Sequence, residues 1–154
     1  MASLLASKGW AVTNLNEERR NTPLHDLRAS KGDKSILISV KHARAKRHVR
    51  LGKPTMFRTL RDEDFVFIVL PRRGAGETRL ASGDFDLWVV PGSARHQALE
   101  SHIHYYHNDL EVAFAQSNMM IKDKVDTPGG RSKSGAVFHA WERAYKDAWH
   151  LLPS

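Results

Sequence analysis

Between positions 22 and 42 the chain alternates apolar and polar residues in a pattern that predicts a β-hairpin. Gly32 and Asp33 are residue types that favour its turn. Asp26 falls on the first strand. Because successive side chains of a strand point to opposite sides, the second strand has two faces, with Ile36, Ile38 and Val40 on one and Leu37, Ser39 and Lys41 on the other.

Two further apolar runs, Phe65 to Leu70 and Phe85 to Val90, predict strands. The first run is almost continuous, which is typical of a strand buried on both faces. Ser93 is a suitable N-cap for a helix that ends near His107. Strands with helices behind them predict an α/β fold, with a central mixed β-sheet of about five strands flanked by helices.

The two ends of the chain predict mainly helices. A short helix over residues 2 to 8 leads into a strand from Trp10 to Leu15. A helix is expected from Leu110 to Ile121, followed by a loop from Lys122 to Gly135 that contains Pro-Gly-Gly. The last helix, from Ala136 to about His150, has aromatic residues at helical spacing, which we expect to lie in the core.

Length and composition fit a single globular domain. The 154 residues are 41% hydrophobic, which is enough for a substantial core. We expect the core to span about residues 1 to 108 and a C-terminal helical extension to span about residues 109 to 154. The absence of cysteine, of an apolar leader and of a long apolar run leads us to expect a cytoplasmic protein without a membrane segment.

The charge favours an anionic partner. The net charge is +7 and the pI is near 9.9, and nucleic acid is the commonest partner of a small basic domain. The most basic stretch runs from Lys41 to Lys53. We expect it to contact phosphates through Arg44, Lys46, Arg47, Arg50 and Lys53. The alternative is a loop whose charges are only solvated. The acidic residues from Asp62 to Asp64 are expected to form a solvated patch.

Candidate chemistry lies at the end of the hairpin. Ser39 and Lys41 share a face, and Asp26 lies close to both on the neighbouring strand. A half-buried ammonium needs a partner, so Asp26 and Lys41 are predicted to approach each other. The same pair could simply form an ion pair that closes the hairpin.

An aspartate, a polar hairpin turn and an apolar strand that ends in Val40-Lys41 resemble the PD-(D/E)XK, or restriction-endonuclease-like, nucleases. Gly9-Trp10 and Asp26-Leu27 also match the pattern of that family. Two positions depart from it. Ser39 stands where the family usually has Glu, Asp or Gln, and His25 stands where Pro is frequent.

The resemblance implies a restriction-endonuclease-like fold and an endonuclease that cleaves DNA with Mg²⁺ or Mn²⁺. It assigns Asp26 to the metal and Lys41 to the attacking water, and the backbone carbonyl of Val40, or Glu17 or Glu18, could complete the metal shell. Ser39 offers only a neutral hydroxyl, so the alternative is a degenerate nuclease fold that binds nucleic acid without cutting it. DNA is a more natural partner than RNA, and a homodimer is possible.

A histidine cluster offers a weaker candidate site. On a helix His104 and His107 share a face, whereas His102 points away from His104. No paired zinc motif such as H-E-x-x-H occurs. We therefore expect solvated or phosphate-facing histidines rather than a zinc site.

Overall fold

The computed structural model describes residues 1–18, 24–43, 47–74 and 83–154, which are built around a five-stranded sheet. The neighbouring strands β3 (Lys34–His42) and β5 (Phe65–Pro71) are parallel, and the other neighbouring pairs are antiparallel. The sheet is therefore mixed, and the predicted α/β class with about five strands is confirmed. In spatial order the strands are β1 (Ala11–Asn14), β2 (Leu27–Lys31), β3 (Lys34–His42), β5 (Phe65–Pro71) and β6 (Phe85–Pro91).

The hairpin of β2 and β3 forms as the sequence predicts. Lys31 pairs with Lys34, which leaves Gly32 and Asp33 as a two-residue turn. Gly32 has a φ of +60°, a conformation that glycine adopts without the steric cost that other residues incur. The turn therefore fixes the register that brings the far ends of β2 and β3 together.

A second, two-stranded antiparallel sheet is formed by β4 (His48–Gly52) and β7 (Met119–Lys122). It was not predicted, and the helix expected from Leu110 to Ile121 begins at Leu110 but ends at Phe114. Met119 and Ile121 are buried whereas Met120 is exposed, so this short segment follows the two-residue period of a strand. The segment expected to be a helical extension thus contributes a strand.

The helices are short except for the two that cover the sheet. Ser93 does not cap α4, because it lies in a 3-10 turn and Ala94 holds the N-cap position. The 3-10 turns are Gly92–Ala94 and Trp149–Leu151. The α-helices are α1 (Ala2–Ala6), α2 (Leu15–Glu18), α3 (Pro54–Phe57), α4 (Arg95–Tyr105), α5 (Leu110–Phe114) and α6 (Ser134–Tyr145).

The hydrophobic core has two parts, one on each face of the five-stranded sheet. Strand β5 contributes to both parts, with Phe67 on one face and Ile68 on the other, which confirms the prediction of a strand buried on both sides. The face of Ile68 is covered by α3, α4, α6 and the β4–β7 sheet. There Trp88 and Phe138 pack edge to face, with ring centroids 4.8 Å apart.

Helix α6 supplies core aromatics as predicted, and it begins two residues earlier than expected. Phe138 and Trp141 are fully buried. Asp126, in the loop before the helix, accepts hydrogen bonds from the backbone N–H groups of Gly135 (3.1 Å) and Ala136 (2.8 Å). These bonds satisfy two of the donors that a helix start leaves unpaired. In the described part of the chain, no helix combines the length and apolar character needed to span a bilayer.

Candidate functional site

The hairpin brings Asp26, Ser39 and Lys41 together at one end of the sheet. Leu27 pairs with Ile38, and the backbone N–H of Asp26 donates to the carbonyl of Ile38 (2.8 Å). Asp26 therefore lies opposite Ser39, on the face that Ser39 shares with Lys41. The predicted side-chain alternation in β3 holds, because Ile36 and Ile38 join the core on the other face.

Two hydrogen bonds fix the carboxylate of Asp26. The backbone N–H of Val40 donates to Oδ2 (2.7 Å), and the side-chain amide of Asn16 donates to Oδ1 (3.1 Å). Asn16 belongs to the helical turn α2, so that turn helps to orient an acid that immediately precedes β2. The carboxylate is thus held in one orientation beside the end of β3.

Lys41 is half-buried and close enough to Asp26 to interact with it electrostatically. Burial lowers the pKa of the Lys41 ammonium, and the negative charge of Asp26 opposes that shift only in part. A lysine with a lowered pKa gives up its proton more readily than an exposed lysine does. Lys41 can therefore serve either as a cation for an anionic group or as a proton donor.

Ser39 is buried beside these two charges, with 1% of its surface exposed. Its hydroxyl has no hydrogen-bond partner within the part of the chain that the structure describes. An unpaired buried hydroxyl costs about 1–3 kcal/mol, and such groups are uncommon in folded proteins. Ser39 is thus a polar group kept at a position where an apolar side chain would be more stable.

Oxygen donors of the kind that Mg²⁺ prefers lie around Asp26. The N–H and the carbonyl of a strand residue leave the same edge, so the carbonyl of Val40 faces the side on which its N–H binds Asp26. Glu17, next to Asn16 in sequence, accepts a hydrogen bond from the side chain of Asn14 (2.9 Å). Mg²⁺ is commonly held by one or two carboxylates together with water and substrate phosphate, and this donor set fits that pattern.

The described residues contain no cluster of three or more His, Asp or Glu side chains that could hold a metal by themselves. The side chain of Glu18 is not among those described. A metal ion at Asp26 would consequently depend on phosphate oxygens for part of its shell.

The basic segment after β3 is only partly exposed. Arg44 and Lys46 lie outside the described residues. Arg50 and Lys53 are exposed, as expected. The expectation that Arg47 contacts phosphate is wrong, because Arg47 is only 7% exposed and its guanidinium contacts three carboxylates. These are Asp86 (3.2 Å), Asp123 (3.0 Å) and Glu142 (2.7 Å).

The expectation that Asp64 belongs to a solvated patch is also wrong, because Asp64 is fully buried. It accepts hydrogen bonds from the backbone N–H (3.0 Å) and guanidinium (2.9 Å) of Arg61, and His25 Nε2 lies 3.1 Å from its Oδ2. Burial alone raises the pKa of Asp64, but the hydrogen bonds from Arg61 and the charge of His25 together hold it below the usual value. His25, the residue before Asp26, is therefore bonded to Asp64 just before β5.

The histidine cluster does not converge on one point. His102 Nε2 donates to the backbone carbonyl of Ala113 (2.8 Å), and its ring packs edge to face with Tyr106 at a centroid distance of 5.1 Å. This bond ties the end of α4 to α5 and engages one of the two ring nitrogens of His102. Sequence reasoning gave no indication of this contact, because the two residues belong to different helices.

The arrangement as a whole is an oriented carboxylate, a buried hydroxyl and a half-buried lysine at one end of the hairpin. Comparisons with family models, with curated proteins and with solved structures found no match to this chain.

Proposed function

We propose that this protein is a nuclease-like hydrolase that engages the phosphodiester backbone of DNA at Asp26 and Lys41, with Mg²⁺ or Mn²⁺ as cofactor. The observation that carries the proposal is the convergence of Asp26, Ser39 and Lys41 on one face at the end of the hairpin. The net charge of +7 supports an anionic substrate. The resemblance to PD-(D/E)XK nucleases rests on the same three positions.

Each residue has a distinct task in this proposal. Asp26 and the carbonyl of Val40 would hold the metal, which, when bound, offsets phosphate charge and makes a bound water more acidic. The bonds from Val40 N–H and Asn16 keep the Asp26 carboxylate in position. Lys41 would donate a hydrogen bond to a phosphate or water oxygen, and its lowered pKa makes it a better proton donor than an exposed lysine.

The second candidate is binding of nucleic acid without cleavage, and Ser39 is the observation that favours it. A neutral hydroxyl on a residue that is 1% exposed replaces the acid expected from the resemblance. Of the two acidic positions that the resemblance implies, only Asp26 therefore carries a negative charge for a metal. The exposed cations Arg50 and Lys53 would still contact phosphates. Both candidates therefore require DNA binding, and only the first requires a metal.

DNA binding is tested by fluorescence anisotropy with a labelled duplex over a range of salt concentrations. We expect log K to fall linearly with log salt, because bound cations displace counterions. Changing Arg50 and Lys53 together to Gln should weaken binding and reduce the slope by about two. The matched control changes Lys31 and Lys34 to Gln, which removes the same charge from the exposed hairpin tip. Equal losses of DNA affinity in the two double variants, or an affinity that does not change with salt, would refute a defined interface.

Cleavage is tested by plasmid nicking with Mg²⁺ or Mn²⁺, using wild type, Lys41→Met and Ser39→Glu. The first candidate expects nicking that Lys41→Met abolishes and Ser39→Glu increases, because the new carboxylate adds a metal ligand. Lys34→Met, on the same strand but exposed, is the matched control and should keep the wild-type rate. Nicking that persists in Lys41→Met would exclude this site. DNA binding with no nicking by wild type or Ser39→Glu would establish the second candidate.

A further inference from the structure

A polar cavity of about 290 Å³ lies away from the Asp26–Lys41 site, between α4, β7 and the loop that leads into α6. The end of α4 contributes His102, Tyr105 and Tyr106. The other wall is formed by β7, Lys124 and residues 132–134. The cavity is near the lower limit of ordinary small-ligand pockets, so it fits one compact ligand rather than a long one.

Three lysines from this second wall line the cavity, and no Asp or Glu is among its lining residues. Lys122 and Lys124 are half-buried. The nearest carboxylate to Lys124 is Asp126, at 3.8 Å, which is already bonded to the N-terminus of α6. Within the described chain, neither Lys122 nor Lys133 has a carboxylate at salt-bridge distance. A half-buried Lys122 without a carboxylate partner, together with Lys124 and the exposed Lys133, makes the cavity an anion-binding environment.

Aromatic rings form the opposite wall. Tyr105 is half exposed, at 50%, and its ring packs edge to face against Tyr106 with a centroid distance of 5.1 Å. Tyr106 is held in turn by His102, which is bonded to α5. A rigidly held tyrosine with an exposed ring is a surface on which a flat ring can stack. Hydroxyl groups of Ser132 and Ser134, 3.0 Å apart, add hydrogen-bonding capacity beside the lysines.

We infer that this cavity binds a nucleotide, with its phosphate on Lys122, Lys124 and Lys133 and its base against Tyr105. The volume and the pairing of a cationic wall with an aromatic wall match one phosphate and one base. The nucleotide is either free or a single unpaired unit of a nucleic-acid strand. The site is separate from Asp26 and Lys41, so it can exist whether or not the proposed cleavage does.

The β4–β7 sheet connects this cavity with the basic segment. Arg50 pairs with Met120, and His48 pairs with Lys122. Paired residues project on the same face of an antiparallel ladder, and Met120 and Lys122 both line the cavity. An exposed cation, Arg50, therefore lies beside the rim, where the next phosphate of a bound strand would pass.

The experiment measures binding of adenosine 5′-monophosphate, adenosine, inorganic phosphate and a short single-stranded oligoadenylate by titration calorimetry. We expect the monophosphate to bind more tightly than adenosine or phosphate alone. Changing Lys122 and Lys133 together to Gln should weaken its binding by about tenfold or more, because charged hydrogen bonds are lost. The control pair Lys31→Gln and Lys34→Gln should leave binding unchanged, and melting curves should show that both variants are folded.

The aromatic wall has its own test. Tyr105→Ala should weaken binding of the monophosphate several-fold and leave binding of inorganic phosphate unchanged. Tyr105→Phe should retain binding of the monophosphate because it keeps the ring. Binding of the free monophosphate indicates a free nucleotide as ligand, whereas binding of the oligonucleotide alone indicates an unpaired unit of a strand. Failure of both to bind at low salt, or binding that survives the Lys122 and Lys133 changes, would overturn the inference.

Discussion

Arg47 and Lys41 lie six positions apart, and both are cations that are at least half-buried, but their surroundings differ. Arg47 contacts the carboxylates of Asp86, Asp123 and Glu142. It also donates to the carbonyl of Pro71 and lies over the ring of Phe138. Each of the three guanidinium nitrogens thus has at least one acceptor, which is how a buried arginine is stabilised.

Lys41 has a far less complete environment. Asp26 is the carboxylate that opposes the desolvation of Lys41, and both of its oxygens already accept hydrogen bonds from Val40 and Asn16. The pKa of Lys41 is lowered as a result, because burial outweighs this attraction. Ser39, on the same face, has no hydrogen-bond partner among the described residues.

The difference separates a stabilising cluster from a candidate site. The carboxylates around Arg47 come from β6, from the loop after β7 and from α6, so one side chain joins segments far apart in sequence. Nothing in that cluster is left for a ligand. At Lys41 the charge is poorly matched and a hydroxyl is unpaired, and such departures from optimal stability are typical of functional sites.

The largest expected effect is the loss of Arg47. Arg47→Met keeps much of the side-chain volume but leaves three carboxylates around a buried position, with only the more exposed Arg73 and Lys146 as cations. We therefore expect the free energy of unfolding to fall by about 3–5 kcal/mol. Urea denaturation measures this. Arg50→Met, on the same stretch of chain but exposed, is the control and should change stability by no more than about 0.5 kcal/mol. If the two variants were equally stable, the Arg47 cluster would not be the stabilising element described.

Asp64 is a buried anion that, unlike Lys41, has a full set of hydrogen-bonding and charged partners. Asp64→Asn loses the charge that the Arg61 guanidinium and His25 contact, and we expect a loss of about 1.5–3 kcal/mol at neutral pH. The folded-state pKa is below 3.8, so the carboxylate stabilises the fold above that value and the benefit disappears as pH falls through the folded pKa. Melting temperatures of wild type and variant should therefore converge in acid. Asp62→Asn, an exposed neighbour, should show no such convergence.

The sequence predicted the elements that have a strong local pattern. The hairpin, the strand from Phe65 and the helix with Trp141 follow from alternation, apolar content and helical spacing, and all are present. The positions of Asp26 and Lys41 followed from the same alternation. These features depend on residues close together in sequence, which is what pattern analysis detects.

Contacts between distant segments could not be predicted in that way. Strand β7 is four residues long, and it was mistaken for part of a helix because its pairing with β4 is a long-range contact. Arg47 was expected to contact phosphate because its three carboxylates lie 39, 76 and 95 positions away. Asp64 was misassigned for the same reason, since charge alone does not reveal burial.

Lys41→Met tests whether the charge at the candidate site costs stability. Burial lowers the folded-state pKa of Lys41 below 10.5. Between the folded-state pKa and the unfolded-state value of 10.5, the unfolded chain binds more protons than the folded chain. The stability of the wild type should therefore rise with pH across that alkaline window. Lys41→Met should be as stable as wild type at neutral pH or more stable by about 1 kcal/mol, and it should lack this part of the alkaline rise.

The control for Lys41→Met is Lys34→Met, at the exposed end of the same strand, which should follow the pH profile of wild type. Urea midpoints at several pH values give both curves. If Lys41→Met were strongly destabilised at neutral pH, Lys41 would resemble Arg47, and the contrast between the two cations would be lost.

Ser39→Ala has the smallest expected effect and separates two accounts of the buried hydroxyl. If the hydroxyl is unpaired in solution as it is within the described residues, its removal relieves a desolvation cost. The variant should then equal wild type or melt about 2–4 °C higher, which corresponds to ~1 kcal/mol for a chain of this size. Ser35→Ala, an exposed serine of β3 bonded to Ser30 at 3.3 Å, should be neutral. A clear loss of stability in Ser39→Ala would mean that the hydroxyl is hydrogen-bonded in solution, for example to water. A gain would place Ser39 beside Lys41 as a second group held there at a cost to the fold, as a binding or catalytic site requires.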